Sequence, residues 1–265
     1  MKKLISLLAV LALVLGLAAC NQDQKKEDWE YIKDKGEIII GITHFAPMNY
    51  LDDNGDLTGF ETEFAKAVCE ILGMKPNFQV IDWKTKEVEL NAKNIDCIWN
   101  GMTISPERKE TMSISTPYME NKQILVVKSE NVETFAASVD GLNLVAEAES
   151  AGEETIQGEA FFANAHYTAV DTQAKAVLEV ASGTADACVI DLIAANGMIG
   201  EGTDFVNLVS IVERSFGAEE YGIALRKNDT EFTKKINDAI AQLAENGKLA
   251  EIAEKYNIAD RLLVG

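Results

Sequence analysis

The chain has 265 residues, 47% of them hydrophobic and 25% charged, which is ordinary globular usage at a length that suits two domains. Forty-three acids stand against 24 bases, a net charge of −19. Without clustered lysine and arginine to neutralise phosphates, nucleic acid is excluded as a partner.

Lys2 and Lys3 open the chain, and residues 4–17 follow without a charge. A membrane span needs about 20 apolar residues, so this run suits the apolar segment of a secretory signal over residues 1–19. It ends Leu17-Ala18-Ala19-Cys20, which resembles a bacterial lipobox and implies that Cys20 is lipidated and becomes the first mature residue. A plain signal peptide with an incidental cysteine is the bland alternative. Several acyl chains, at about 0.8 kcal/mol per buried methylene, would hold such a chain firmly to a bilayer. Residues 20–28 then read as a polar tether. Losing the two leader lysines leaves 22 bases against 43 acids, or −21. No later segment approaches 18 uninterrupted apolar residues, so the mature chain is expected to be exported and anchored only at its end. Cys69, Cys97 and Cys188 remain, an odd number without C-x-x-C spacing. That pattern implies no metal or redox chemistry, and three buried free thiols are expected.

Residues 37–42 (EIIIGI) read as a buried strand. A turn at 52–55 precedes a helix over 60–72, whose Phe60, Phe64, Val68 and Leu72 share one face and which Gly73 closes. A strand over 78–81, a helix over 86–92 and a strand over 95–100 follow. Residues 173–181 are helical and 187–190 a strand. Residues 94–100 (NIDCIWN) and 185–191 (ADACVID) echo each other, an Asp before a buried strand that ends in a polar residue. The echo is either chance or the mark of two similar α/β units. At the end, Phe232, Ile236, Ile240 and Leu243 predict a helix capped by Asn228 or Asp229, and residues 249–256 a shorter one. The alternation favours α/β with largely parallel sheets.

Three helix starts stand out. Residues 101–108 (GMTISPER) place a strand end before a helix capped by Ser105, with Pro106 at its first position and Arg108 in its first turn. Unpaired N–H groups and the guanidinium would suit a carboxylate, although a surface arginine on a capped helix carries the same pattern. Ser150 and Glu153 have capping-box spacing, and Asp191 follows a strand as either a cap or a seat for an ammonium group. Ligands in open α/β sheets settle at such strand ends. Spacing by itself leaves all three open.

Residues 59–69 (GFETEFAKAVC), 94–108 followed by Ser115-Thr116-Pro117-Tyr118, and 221–227 (YGIALRK) resemble the family 3 extracellular solute-binding proteins, the amino-acid-binding components of ABC importers. The similarity spans about residues 37–256 in consistent order. It implies a two-lobed α/β fold of periplasmic-binding-protein type with a hinge of two crossing strands. Residues 29–121 and 214–265 would form lobe one and 122–213 lobe two. It also implies a free amino acid as ligand, a membrane ABC permease as partner, no cofactor or metal, and a monomer held to the outer face of the membrane through its lipid.

By position, Arg108 would take the ligand α-carboxylate, helped by Thr103 and the Gly101 backbone, and Asp191 the α-ammonium. Ser150 and Ala151 would bring backbone donors from lobe two. Phe45 and Trp83 match positions that pack against the ligand side chain, and Asn100 is a further candidate for reading it. There are departures from the family pattern. An acid shortly after the first strand is absent, and His44 stands nearby, either in part of that role or facing solvent. Glu149 stands where glycine is frequent and Ala151 where a hydroxyl is frequent. Glu147 lies one strand alternation from Glu149. Two acids there would suit a cationic or polar ligand side chain, or they are solvated acids on an acidic protein. Transport is the expected use. A binding protein that feeds a membrane sensor and an exported dehydratase-like enzyme on the same fold are the alternatives.

Overall fold

The computed structural model describes residues 28–199, 203, 205–206 and 209–264. The leader, the lipobox with Cys20 and nearly all of the tether lie outside the described residues. Asp28, expected to end the tether, instead begins helix α1 (Asp28–Lys35).

Strand β1 (Glu37–Ile42) buries Ile38, Ile40 and Ile42. A hairpin of β2 (Tyr50–Leu51) and β3 (Leu57–Thr58) turns where Asp52 Oδ1 accepts the N–H groups of Asn54 and Asp56. Helix α2 (Phe60–Leu72) buries Phe60, Phe64 and Val68 completely, and Gly73 stops it at φ +67°. Strand β4 (Lys75–Val80) starts three residues earlier than the apolar run at 78–81 predicts. The open edge of β1 supplies backbone partners from Glu37 onwards, whatever side chains face them. Helix α3 (Lys86–Asn91), β5 (Cys97–Thr103), α4 (Pro106–Thr111), β6 (Met112–Ile114) and β7 (Met119–Asn121) complete the first pass.

The chain then crosses to a second sheet through β8 (Gln123–Lys128), α5 (Val132–Ala137), β9 (Asn143–Glu147), α6 (Ala151–Gly158) and β10 (His166–Val170). There follow α7 (Gln173–Ser182), β11 (Ala187–Asp191), α8 (Leu192–Ile199) and β12 (Val209–Ser215). It returns by β13 (Glu219–Arg226), α9 (Thr230–Glu245) and α10 (Lys248–Lys255). Asp191 is the last residue of β11, in register with Gln123 of β8, and does not open the next helix. Neither expected residue caps α9. Asp229 makes no side-chain cap bond and pairs with Arg226, while the Asp28 carboxylate accepts the N–H groups of Glu231 and Phe232.

Among the described residues, one sheet runs β4-β1-β5-β13-β6, with β7 also on β13, and the other runs β10-β9-β11-β8-β12. The first three strands of each are parallel; β8, β12, β13, β6 and β7 pair antiparallel, so the parallel expectation holds for three strands of each sheet. β5 and β11 hold the same third place in their sheets, which is the structural content of the sequence echo. β5 was expected to end at Asn100 and runs on to Thr103, because Met102 and Thr103 pair with Gly222 and Tyr221 of β13. From Ile98 to Met102 β5 advances four residues while β13 advances two, from Ala224 to Gly222. The surplus is a bulge over residues 99–101, where Gly101 takes φ +55°.

The fold is thus two-lobed α/β. The connections β7–β8 and β12–β13 lie side by side, with Asn121 opposite Glu219 and Met119 opposite Tyr221. Helix α8 is apolar but for the exposed Asn196 and packs both ways, Ile193 and Ala194 on the first core and Leu192, Ala195 and Ile199 on the second. Its Gly197 approaches the Ala46 carbonyl so closely that a Cβ would lie 2.3 Å from the oxygen.

Gly59 gives a test of this packing. It sits at φ +121° where a Cβ would lie 2.1 Å from the Met48 carbonyl oxygen, and the next two N–H groups bond to Pro47 and Met48. Gly59→Ala should cost about 2–3 kcal/mol in urea unfolding. Gly158→Ala, with no atom within 4 Å of the new carbon, should be neutral or stabilising by up to about 1 kcal/mol.

Candidate functional site

Ten residues line a narrow space between the two sheets: Trp83, Asn100, Gly101, Thr103, Arg108, Glu147, Ser150, Ala151, Gln173 and Asp191. Nine are residues singled out from the sequence. Gln173 was not. Phe45 is absent from the lining: its ring covers Gly101, where a Cβ would lie 2.8 Å from it, and it belongs to the first core. His44 is exposed.

The bulge in β5 sets one wall. Glu61 of α2 is fully buried and accepts the Gly101 N–H at 2.7 Å, the Tyr118 hydroxyl, and Asn49 Nδ2 at 2.9 Å. The Gly101 N–H is therefore taken, so help from the Gly101 backbone to a carboxylate cannot come from that donor. The Asn100 amide is also engaged, Oδ1 accepting from Thr43 N at 2.8 Å and Nδ2 donating to Thr43 Oγ1 at 2.6 Å. Burial pushes the Glu61 carboxyl up to about 7 despite its three donors.

Helix α4 starts as the sequence predicts. Ser105 Oγ accepts the Arg108 N–H at 3.2 Å with Pro106 at the first position. That start aims the guanidinium inward, 5% exposed. Nη1 donates to the Thr103 carbonyl at 2.9 Å, and Nη2 to Glu154 Oε1 at 2.7 Å and to the Glu149 carbonyl at 3.4 Å. Beside it Lys86 Nζ donates to the same Glu149 carbonyl at 2.9 Å and lies 4.8 Å from the centre of the Trp83 ring. Burial, then the neighbouring Arg108, lower the Lys86 ammonium to about 8. Trp83 Nε1 is buried with no hydrogen-bond partner among the described residues.

The other wall comes from the second sheet. Ser150 caps α6, its Oγ accepting the Glu153 N–H at 3.2 Å. The return bond of the capping box goes from Glu149 N–H to Glu153 Oε2, at 2.6 Å, and not from Ser150. The two acids part company here. Glu149 takes φ +60°, the left-handed conformation that glycine adopts most easily, and its side chain is exposed. Glu147, at the end of β9, is 5% exposed and lines the space; its backbone carbonyl accepts the Ser150 N–H at 3.2 Å, while its carboxyl accepts no hydrogen bond from the described residues. Burial, then the Asp191 charge, push its carboxyl up to about 8.

Asp191 is held from three sides. Asn121 Nδ2 and Gln123 Nε2 each donate to Oδ1 at 2.7 Å, Gln173 Nε2 donates to Oδ2, and Gln173 Oε1 accepts the Asp191 N–H at 3.0 Å. Gln173, Asn121, Gln123 and Lys86 are the residues that sequence reasoning missed. Gln173 had one local signal, the first position of a helix capped by Thr172. The others carry none, since each meets the site only through strand pairing or across the gap between sheets. The three described cysteines are free and buried, as expected, and burial raises Cys69 to about 12.

The space therefore has a cationic pole at Arg108 and an anionic pole at Asp191, with a second carboxyl, Glu147, beside them. Raised carboxyls make stability depend on pH in a defined sense. Glu61 and Glu147 keep their protons, to about 7 and about 8, after the unfolded chain has lost its own near 4.5. Their contribution is complete below the unfolded value and disappears as pH rises through the folded one. The thermal midpoint should fall between about pH 5 and about pH 8, and Glu61→Gln with Glu147→Gln should flatten the decline, each by at most about 1.4 kcal/mol per unit. A midpoint that climbs across this window would contradict the burial of neutral carboxyls.

Comparison with known proteins places this geometry in context. The profile of the bacterial extracellular solute-binding proteins, family 3, matches residues 38–259. The L-cystine-binding protein TcyJ of Escherichia coli K12 is 29% identical over 236 residues, covering 86% of this chain and 85% of TcyJ. The crystal structure of Tv2483 bound to L-arginine superposes with a TM-score of 0.82 at 27% identity, over 89% of this chain and 96% of that one. A substrate-binding protein of an ABC uptake transporter from Streptococcus pneumoniae, with bound histidine, gives 0.79 at 33% identity, over 86% and 95%.

Proposed function

The chain belongs to the bacterial extracellular solute-binding proteins of family 3, and from that premise we propose that it captures a free amino acid outside the cytoplasm and delivers it to an ABC permease. The observation that carries this is the pair of opposed poles in one buried space, Arg108 on the first sheet's side and Asp191 on the second's. A zwitterion fits them in one orientation. Its carboxylate meets Arg108, taking the place of Glu154, which is half exposed. The unpaired N–H groups at the start of α6, beside Ser150 and Ala151, face the same carboxylate. Its ammonium meets Asp191 and the Gly101 carbonyl.

The ligand side chain is then read by Glu147, Trp83 and Asn100. A buried carboxyl without a hydrogen-bond partner favours a donor or a cation over an apolar group, so the proposed ligand is polar or cationic. Arginine and histidine in the solved relatives, and cystine in the name of TcyJ, all carry such groups. No group in the space serves a bond-breaking step in this reading, which is capture by closure of residues 122–213 over residues 29–121 and 214–265. Lipidated Cys20 and a tether over residues 21–27 would hold the second of these lobes to the outer face of the membrane as a monomer, leaving the first free to move.

Calorimetric titration of the refolded, ligand-stripped protein against the common L-amino acids, ornithine and cystine tests this. Arg108→Ala should lose about 2–5 kcal/mol, from about 30-fold to a few thousand-fold in affinity. Asp191→Ala should lose as much for amino acids and little for their des-amino analogues. Glu147→Gln should weaken arginine and ornithine more than glutamine. Unchanged affinity in Arg108→Ala would remove the carboxylate site, and silence across the panel would remove the free-amino-acid reading.

A further inference from the structure

Glu219 has no part in the reading above, yet the site is built onto it. It opens β13, on the second connection between the sheets, directly opposite Asn121 on the first. Asn121 Nδ2 donates both to Asp191 Oδ1, at 2.7 Å, and to Glu219 Oε1. Gln123 Nε2 donates to the same two oxygens, at 2.7 Å each. Two amides thus span two carboxyls, one at the proposed ammonium seat and one on the hinge. A primary amide has two N–H groups, so each is fully used by this arrangement. Behind Glu219 lies a surface groove lined by Ile104, Lys109, Glu120, Ala218 and Glu220. Glu219 therefore touches the site on one side and bulk water on the other.

Two carboxylates that share donors repel, which favours one proton held on the pair. We propose that Glu219 is a positioning residue for the ammonium seat, and that an α-ammonium group reaching Asp191 expels the Glu219 proton through the groove, so that capture releases a proton. The charges balance. Asp191 carboxylate with neutral Glu219 is −1, and two carboxylates with the ammonium are again −1. The ligand keeps its three ammonium protons and the expelled proton goes to buffer. Burial, then the charge of Asp191, push the Glu219 carboxyl up to about 7. Glu147, Glu61 and the Tyr221 hydroxyl are the other ionisable groups around the pair, and Lys109, Glu120 and Glu220 face it from the groove. Glu147 would also lose a proton to a cationic side chain, and the variants below separate the two sources.

The inference rests on Asp191 as the ammonium seat, and the test distinguishes failure of each. Titrations of L-arginine and L-glutamine, whose side chains do not titrate near neutrality, are run at about pH 7 in buffers of different ionisation enthalpy. The dependence of the observed heat on the buffer gives the protons released. Wild type should release protons with both ligands, and its affinity should rise with pH by up to about tenfold per unit. Glu219→Gln, checked for an unchanged thermal midpoint, should release fewer and show a flatter pH profile, while Glu147→Gln should keep the release with glutamine. A wild type that binds without releasing protons overturns the coupling, and that measurement needs no variant. Equal release from wild type and Glu219→Gln overturns it as well. Des-amino analogues that bind and release protons as amino acids do would overturn the Asp191 reading, and binding by neither amino acid would overturn both.

Discussion

One buried carboxyl organises the first wall of the cleft. Glu61 draws the Gly101 N–H, the Tyr118 hydroxyl and the Asn49 amide onto itself in the core of the first lobe. A group so costly to bury is retained where it satisfies backbone that regular pairing cannot reach. Here that backbone is the bulge in β5, whose extra residues have no partner on β13. With the bulge held, Asn100 braces Thr43, Thr103 presents its carbonyl to Arg108, and α4 starts at the angle that points the guanidinium inward. Removing the anchor would disturb several positions of the site together, since they share one strand.

The second wall follows a different logic. Its carboxylates sit at the ends of parallel strands, Glu147 on β9 and Asp191 on β11, where backbone N–H groups are no longer consumed by the sheet. Amide side chains from the crossing strand and from the start of α7 hold Asp191, so the anionic pole is fixed by neutral groups and its charge is left uncompensated. Arg108 and Lys86 reach the second wall at the Glu149 carbonyl oxygen, and Arg108 also at the Glu154 carboxylate. Contacts of that kind are few and polar, while the crossing strands and α8 pack continuously on both cores. The two units are therefore joined more extensively at the crossing strands than across the space, the distribution that the proposed closure over a ligand requires.

Much of the local structure could be read along the chain. The helix over 60–72, its glycine stop, the Ser105 and Ser150 caps and the strand run at 187–190 each depend on neighbours within a few residues, and each was found. The extension of β5, the early start of β4 and the capping of α9 by Asp28 were not legible, because each depends on a partner tens or hundreds of residues away. Phe45 shows the same limit. An aromatic ring after the first strand suits a cleft or a core equally, and the missing Cβ of Gly101 draws it to the core side.

Sequence alone determined the longer helices, several buried strand runs, the acidic balance and the residue types proposed for the poles, since local periodicity and capping chemistry act over a turn or two of chain. It also carried the family resemblance. Tertiary structure alone decided which acid faces the space, Glu147 buried and Glu149 turned out by a left-handed backbone, and it added Gln173, Lys86 and Glu219 to the site. Strand register and the gap between two sheets set those positions. Both are long-range quantities that no window of neighbouring residues contains.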